Sequence, residues 1–288
     1  MNDPVRFRVL PYEIEIDGPP PGGLDPMVRD KLRYLVNHAE QPGTARGTLR
    51  YRVEGTGPYR LFENDDALRE VATPDDVLFV VYQRIQRWVV DHLALGGWSH
   101  LHAGLAQIGD HRFVLIGPKG RGKTTLSLRL LFDGALVEGD ESVFVRDDEI
   151  MALPRPFHLK AGSELVVPEL APLVEALPRT IGDGAPIRAF DPALAGLPWR
   201  LQRGPIHAIV VLKPRSAVAR VAPASTGDVL PDLLEQVFDP GRLGTPDRLP
   251  FALGFVAGHR LLTVTASTPD ETVSLLTDQL IDRVGSGS

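Results

Sequence analysis

Residues 117 to 124 read Gly117-Pro118-Lys119-Gly120-Arg121-Gly122-Lys123-Thr124, with Thr125 next. This is the G-x-x-x-x-G-K-[ST] spacing, in which glycines let consecutive backbone N–H groups close around a phosphate at the positive end of a helix. Lys123 would bridge the β- and γ-phosphates, and the Thr124 hydroxyl would complete a magnesium shell. The expected ligands are ATP, or another nucleoside triphosphate, and Mg2+. A glycine-rich turn before a helix can imitate the pattern, but here an apolar strand (FVLI) enters the loop and a helical run (TTLSLRLLF) leaves it, the setting that phosphate binding requires.

Such a loop supplies neither a base for an acceptor nor a full metal shell. Asp140 and Glu141 follow the apolar run ALVEG, 17 residues after Lys123. A strand adjoining the loop strand is expected to bring them to the γ-phosphate, one to hold magnesium and one to accept a proton. The alternative is an acidic turn, as with Asp147, Asp148 and Glu149. His102 precedes Lys123 by 21 residues and is either a hydrogen-bonded core histidine or a catalyst. Arg155, His158 and Lys160 lie past the acidic pair, where phosphoryl transfer needs cations. Arg155, between Pro154 and Pro156, is the first candidate among them. Arg188, Arg200 and Arg203, on a proline-rich connection, either line the pocket of an acidic substrate or solvate a loop.

The elements that must position these residues read as α/β. Strands are expected at 5–10 and 12–17, a short helix at 26–40, and a hairpin from TLRYRVEG and PYRLFE around Gly55-Thr56-Gly57. Pro74 opens a largely buried helix at 75–95 that Gly96-Gly97 ends. Strands at 101–108 and 113–117, the loop helix from Lys123 to about Phe132, and the strands ALVEGDESVFVRD and EIMAL follow. Helices are expected near 164–177, 229–238, 249–257 and 269–283, with strands at 206–212, 217–222 and over HRLLTVTA. A boundary near residue 73 divides a small β-rich N-terminal part (1–73) from the loop-bearing domain (74–284), and Gly285 to Ser288 reads as a flexible tail.

Composition excludes several classes. Of 288 residues 43% are hydrophobic and 24% charged, which provides for a packed core. The net charge of −6 argues against binding nucleic acid through phosphate neutralisation. With no cysteine, disulfides, thiolate nucleophiles and Cys-based zinc sites are excluded. No apolar stretch approaches the roughly 18 to 20 residues a spanning helix needs, so no membrane partner is expected. The first 30 residues lack the basic start and apolar run of a secretory signal, and a cytoplasmic location is expected. Assembly into a homo-oligomer stays open.

The segment LHAGLAQIGDHRFVLIGPKGRGKTTLSLRLLFDGALVEGDESVF resembles the core of the HPr kinase/phosphorylase family, whose P-loop fold is shared with ATP-dependent phosphoenolpyruvate carboxykinases. A histidine strand, the phosphate loop, a helix ending in glycine and an acidic pair occur here as His102, Gly117 to Thr124, Gly134, and Asp140 with Glu141 where that family has a second aspartate. Phe190-Asp191-Pro192 before a long apolar strand resembles related kinases. The resemblance implies that Asp140 is the base toward a serine-type hydroxyl, Glu141 a metal ligand or its support, and His102 a partner of the carboxylates, with the acidic roles exchangeable. Where HPr kinases carry a Glu-Ile-Arg-Gly-Leu-Gly signature, this chain has LPRPFHLKAGSELV. The expected acceptor is therefore a hydroxyl of a peptide, another protein or a small molecule, as in tailoring kinases of ribosomal peptide pathways, rather than HPr. The competing function is an ATPase or switch subunit with water as acceptor. Such proteins usually place the acid after four apolar residues, whereas Glu138 interrupts the run here.

Overall fold

The computed structural model describes residues 4–9, 12–18, 47–153, 155–177, 179–182, 185–197, 202–238 and 248–281. The helix expected at 26–40, Arg200 and the tail lie outside them. The fold is mixed α/β with mixed sheets and a small β-rich N-terminal part, and it divides into two compact units: Met1–His92 with Pro178–Ile187, and Leu93–Leu177 with Arg188–Ser288.

In the first unit β1 (Val5–Val9), β2 (Tyr12–Asp17), β3 (Gly47–Glu54), β4 (Tyr59–Glu63) and β5 (Asp66–Val71) form one sheet in that order. The alternation that predicts β1 and β2 also sets their faces: Val5, Phe7, Val9, Ile14 and Ile16 are buried while the residues between them are more open. The hairpin is present, and β5 adds a strand that its charge-rich sequence, DALREV, hides. Helix α1 (Pro74–Leu95) starts with the carboxylate of Asp76 accepting from the Thr73 hydroxyl, and buries Val77, Val81, Ile85 and Val89, four residues apart. β13 (Arg179–Gly182) and the start of β14 (Ala185–Phe190) belong to this unit as well.

The second unit is built on a six-stranded sheet ordered β16 (Arg220–Pro223), β18 (Arg260–Thr265), β15 (Ala208–Lys213), β8 (His111–Ile116), β7 (Gly104–Ile108), β9 (Leu136–Gly139). β8, β15 and β18 run parallel, and β7 is antiparallel to both β8 and β9. Period two splits the central strands between two cores. Phe113, Leu115, Val210 and Leu212 face α2 (Lys123–Phe132) and α5 (Pro269–Ile281). Val114, Ile116, Ile209 and Val211 face α3 (Thr226–Gln236), α4 (Arg248–Ala257) and a second, antiparallel sheet ordered β11 (Glu149–Ala152), β10 (Val143–Arg146), β6 (Ser99–Leu101), β17 (Val237–Phe238). α3 starts three residues before its expected position because Ser225 and Asp228 form a reciprocal cap, Ser225 Oγ accepting from the Asp228 N–H and the Asp228 carboxylate from the Ser225 N–H at 2.9 Å.

Two runs read as single strands are each divided between these sheets. LHAGLAQI becomes β6 and β7, broken at His102-Ala103, and ALVEGDESVFVRD becomes β9 and β10, broken at the acidic pair. The helix expected at 164–177 reduces to single turns, Ser163–Val166, Pro168–Leu170 and Ala171–Val174. Pro168 and Pro172 withhold the N–H groups that a continuous helix would use. The connection read as proline-rich contains β14, which pairs with β12 (Phe157–Leu159). Among the described residues no helix is long and apolar enough to cross a membrane.

Candidate functional site

The loop joins β8 to α2. Gly117 has φ 154°, and a side chain there would meet Leu212 of β15 at about 3.0 Å, so only glycine fits the entry. Gly122, at φ 95°, turns the chain into α2. The turn between them closes with the Arg121 N–H on the Pro118 carbonyl at 3.2 Å, while Lys119 and Gly120 are exposed. No side chain caps α2, which leaves the N–H groups of its first turn, including Thr124 and Thr125, for an anion. The Lys123 ammonium is buried and donates to the Gly117 carbonyl at 2.7 Å. Burial pulls its pKa down from 10.5 to about 8, against the opposing pull of Asp140.

Asp140 reaches this loop by a route that differs from the expected one. β9 does not adjoin β8, because β7 runs between them. The register still brings the ends together: Gly104 of β7 is opposite Leu115 and Leu105 is opposite Gly139, so His102, Gly117 and Asp140 lie at one end of the sheet. An antiparallel strand inserted between two others leaves those two parallel, and both therefore end on the same side. Asp140 is 2% exposed. Desolvation raises its pKa, opposed by the charge of Arg155, a hydrogen bond from Thr124 and the charge of Lys123. Its Oδ2 is buried with no hydrogen-bond partner among the described residues.

Glu141, half-buried, is paired with Arg155 Nη1, and Arg155 Nη2 lies 2.7 Å from His158 Nδ1. The structure thus gathers Lys123, Thr124, Asp140, Glu141, Arg155 and His158. Arg155 Nε is buried and unpartnered among the described residues. His102 lies at the same end of the sheet, its ring stacked 5.9 Å from that of Phe238, which also stacks on His100 at 4.6 Å. Other candidates are drawn elsewhere. Arg188 ties β14 to the Glu175 carboxylate and the Leu177 carbonyl, each at 3.3 Å. Arg203 pairs with Glu149 and lies over the Trp98 ring, and Lys160 is exposed.

Two features escape sequence reasoning. Gln236, the last residue of α3, is buried, and with its amide nitrogen toward the loop it donates to the carbonyls of Gly117 (3.2 Å) and His102 (3.3 Å). Glu138, read as an interruption of an apolar run, is the extra residue of a bulge in β9 and is fully buried against Arg112. Neither carries a local signal, since both depend on partners far away in sequence.

A magnesium ion bound with nucleotide phosphates needs only one or two protein ligands. The Thr124 hydroxyl and the orphaned Asp140 Oδ2 fit that need, with Glu141 beside them. No family model matches the sequence, and no curated protein matches it. Among solved structures, this one is similar to the HPr(Ser) kinase/phosphatase from Coxiella burnetii, with 13% sequence identity and a TM-score of 0.33, over 65% of this chain and 99% of that chain.

Proposed function

We propose that the chain is an ATP- and Mg2+-dependent phosphotransferase that moves the γ-phosphoryl group to a hydroxyl of a peptide, a protein or a small molecule. The observation that carries the reading is Asp140, a carboxylate buried at the end of the sheet beside the glycine-rich loop, with one oxygen unpartnered among the described residues and its pKa raised. A buried group left incomplete beside a cation marks a working site more often than a structural one.

The loop's N–H groups and Lys123 hold and orient the triphosphate. Asp140 accepts the acceptor's hydroxyl proton as the new O–P bond forms, and the bond from the γ-phosphorus to the β,γ-bridging oxygen breaks with its electron pair leaving on ADP. Raising the carboxylate's pKa brings it nearer the working pH, which favours proton transfer. Glu141 holds Arg155 toward the transferred group, where the guanidinium offsets developing charge. Thr124, with Asp140 or Glu141, would hold magnesium, which would supply neutralisation of the phosphate charge.

The test is transfer of labelled γ-phosphate to serine, to candidate peptides and to water, measured side by side. Label on a hydroxyl, dependent on magnesium and lost in Asp140→Asn, is the expected result. Release to water alone, unaffected by any acceptor, would make the chain an ATPase or a switch subunit instead.

A further inference from the structure

Resting on the nucleotide reading of the loop, we infer that Gln236 is a positioning residue for phosphate binding: it fixes the Gly117 peptide so that its carbonyl holds the Lys123 ammonium in place.

The Gly117 carbonyl accepts from Lys123 Nζ at 2.7 Å, and because the end of the Gln236 amide that faces it also faces the His102 carbonyl, that end must be the nitrogen, which makes Gln236 a second donor at 3.2 Å. Gly117 sits at φ 154°, where a peptide is not held by the steric limits of a side chain. Something outside the loop must therefore fix the direction of its carbonyl, and that direction decides where the ammonium rests. Lys123 is a poor anchor for this purpose, because a four-carbon stem with rotatable donors follows its acceptor rather than defining it.

Gln236 is suited to the task because it is itself held on three sides. Its backbone carbonyl accepts the His102 N–H at 2.8 Å, and its amide donates to the His102 carbonyl at 3.3 Å. The next residue, Val237, is paired with Leu101 in the antiparallel sheet. With 5% of its surface exposed, the side chain has little freedom to swing away. A neutral amide also orients the carbonyl without adding a charge that would compete with phosphate for the lysine. The same side chain ties the loop's entry to the end of β6, where His102 stands.

The experiment is a double-mutant cycle on binding of a fluorescent ATP analogue with magnesium, using the parent, Gln236→Leu, Lys123→Met and the double variant. The nucleotide-induced rise in melting temperature serves as a second readout for weak binders. Gln236→Leu is expected to weaken binding by about tenfold in the parent, the effect of one lost hydrogen bond with a buried carbonyl left short of a donor. In the Lys123→Met background it is expected to change binding by less than about twofold, because the residue acts through the lysine. Gln236→Met, closer in length and also without a donor, repeats the measurement should the leucine variant fold poorly. An equal loss in both backgrounds would mean that Gln236 merely packs the site, and no loss in the parent would mean that it does nothing there; either result overturns the inference. A parent that binds no triphosphate fails at the first titration, which separates failure of the nucleotide reading from failure of the role of Gln236.

Discussion

The second unit buries two pairs of opposite charge, one ion-paired inside its six-stranded sheet and one at the end of that sheet, where Lys123 opens α2 and Asp140 follows β9, and they are finished to different degrees. Arg112 of β8 and Glu138 of β9 meet through Nε–Oε1 at 2.6 Å and Nη2–Oε2 at 2.9 Å. The remaining guanidinium donors go to the carbonyls of Gly204, Pro205, Ile150 and Gln202, and the Gln202 N–H donates to Glu138 Oε2. Lys123 and Asp140 are buried to a similar extent, yet one Asp140 oxygen has no partner among the described residues, and both residues have pKa values displaced toward their neutral forms, chiefly by burial. A satisfied charge network fixes one arrangement of the chain, whereas an unsatisfied one stores a demand that a ligand can meet. The first pair holds β8, β9, β11 and the 202–205 segment together, and the second is the one to which the proposed function gives chemistry.

The largest expected effect tests the open pair. Asp140→Asn keeps shape and removes the basic oxygen, so phosphoryl transfer should fall by about 10²- to 10⁴-fold, with the melting temperature and nucleotide affinity little changed. A variant with parental turnover would make Asp140 a structural acid like Glu138. Next in size is Glu138→Ala, which strands a buried guanidinium and should cost about 3–5 kcal/mol of stability. Denaturant titration reads that loss. Transfer per folded molecule should stay near the parent's, since Arg112 and the Gln202 N–H, which hold Glu138, are not among the residues gathered around Asp140. A loss of turnover without a loss of stability would dissolve the distinction between the pairs.

The two pairs also differ in how far they could be read from sequence. The loop was legible because its signal is local: eight consecutive residues with a strand before and a helix after. The acidic pair was legible as a type and a position, but its strand was expected to adjoin β8, and the intervening β7 is a property of sheet order that spacing does not encode. Arg155 stands out in the sequence for its position between two prolines, while its pairing with Glu141 is a tertiary contact that no local pattern encodes. Glu138 and Gln236 were illegible for the same reason. A charged residue in an apolar strand reads as an interruption until the arginine 26 positions earlier is seen across the sheet. The capping box that starts α3 was there to be read in Ser225 and Asp228, and β5 was hidden by its polarity, since its faces are mostly exposed.

The third expectation concerns pH and applies to the open pair alone. Lys123 must be charged to hold phosphate, so kcat/KM for the nucleotide should fall on the alkaline side near pH 8, where its displaced pKa lies. Asp140 must be ionised to accept a proton, so the acid limb should rise above the ordinary carboxylate range. Lys123→Arg, which stays charged, should lose the alkaline limb near 8 and keep the acid one. An unchanged alkaline limb would assign it to some other group.

The smallest effect is the most direct comparison of the two pairs, because one kind of substitution should act in opposite directions. Lys123→Met removes an ammonium whose folded-state pKa is about 8 instead of 10.5. Below pH 8 the folded and unfolded chains both hold this proton, and the folded chain bears the full cost of burying the charge. Between pH 8 and 10.5 only the unfolded chain keeps it, so stability rises with pH, and above 10.5 the cost is gone. Asp140 keeps its larger cationic neighbour, Arg155, when the lysine is removed, so at pH 7 the methionine variant, without nucleotide, should be more stable than the parent by about 1–3 kcal/mol, the conversion of that displacement less the lost bond to Gly117. The gain should shrink steadily as pH approaches 10.5. Arg112→Met, by contrast, leaves Glu138 buried without its cation and should be destabilising throughout that range. Urea midpoints of the three proteins at pH 7 and pH 10 read both signs. If Lys123→Met were as damaging as Arg112→Met, the lysine would be part of the scaffold, and the loop would have lost its claim to be a site held ready for phosphate.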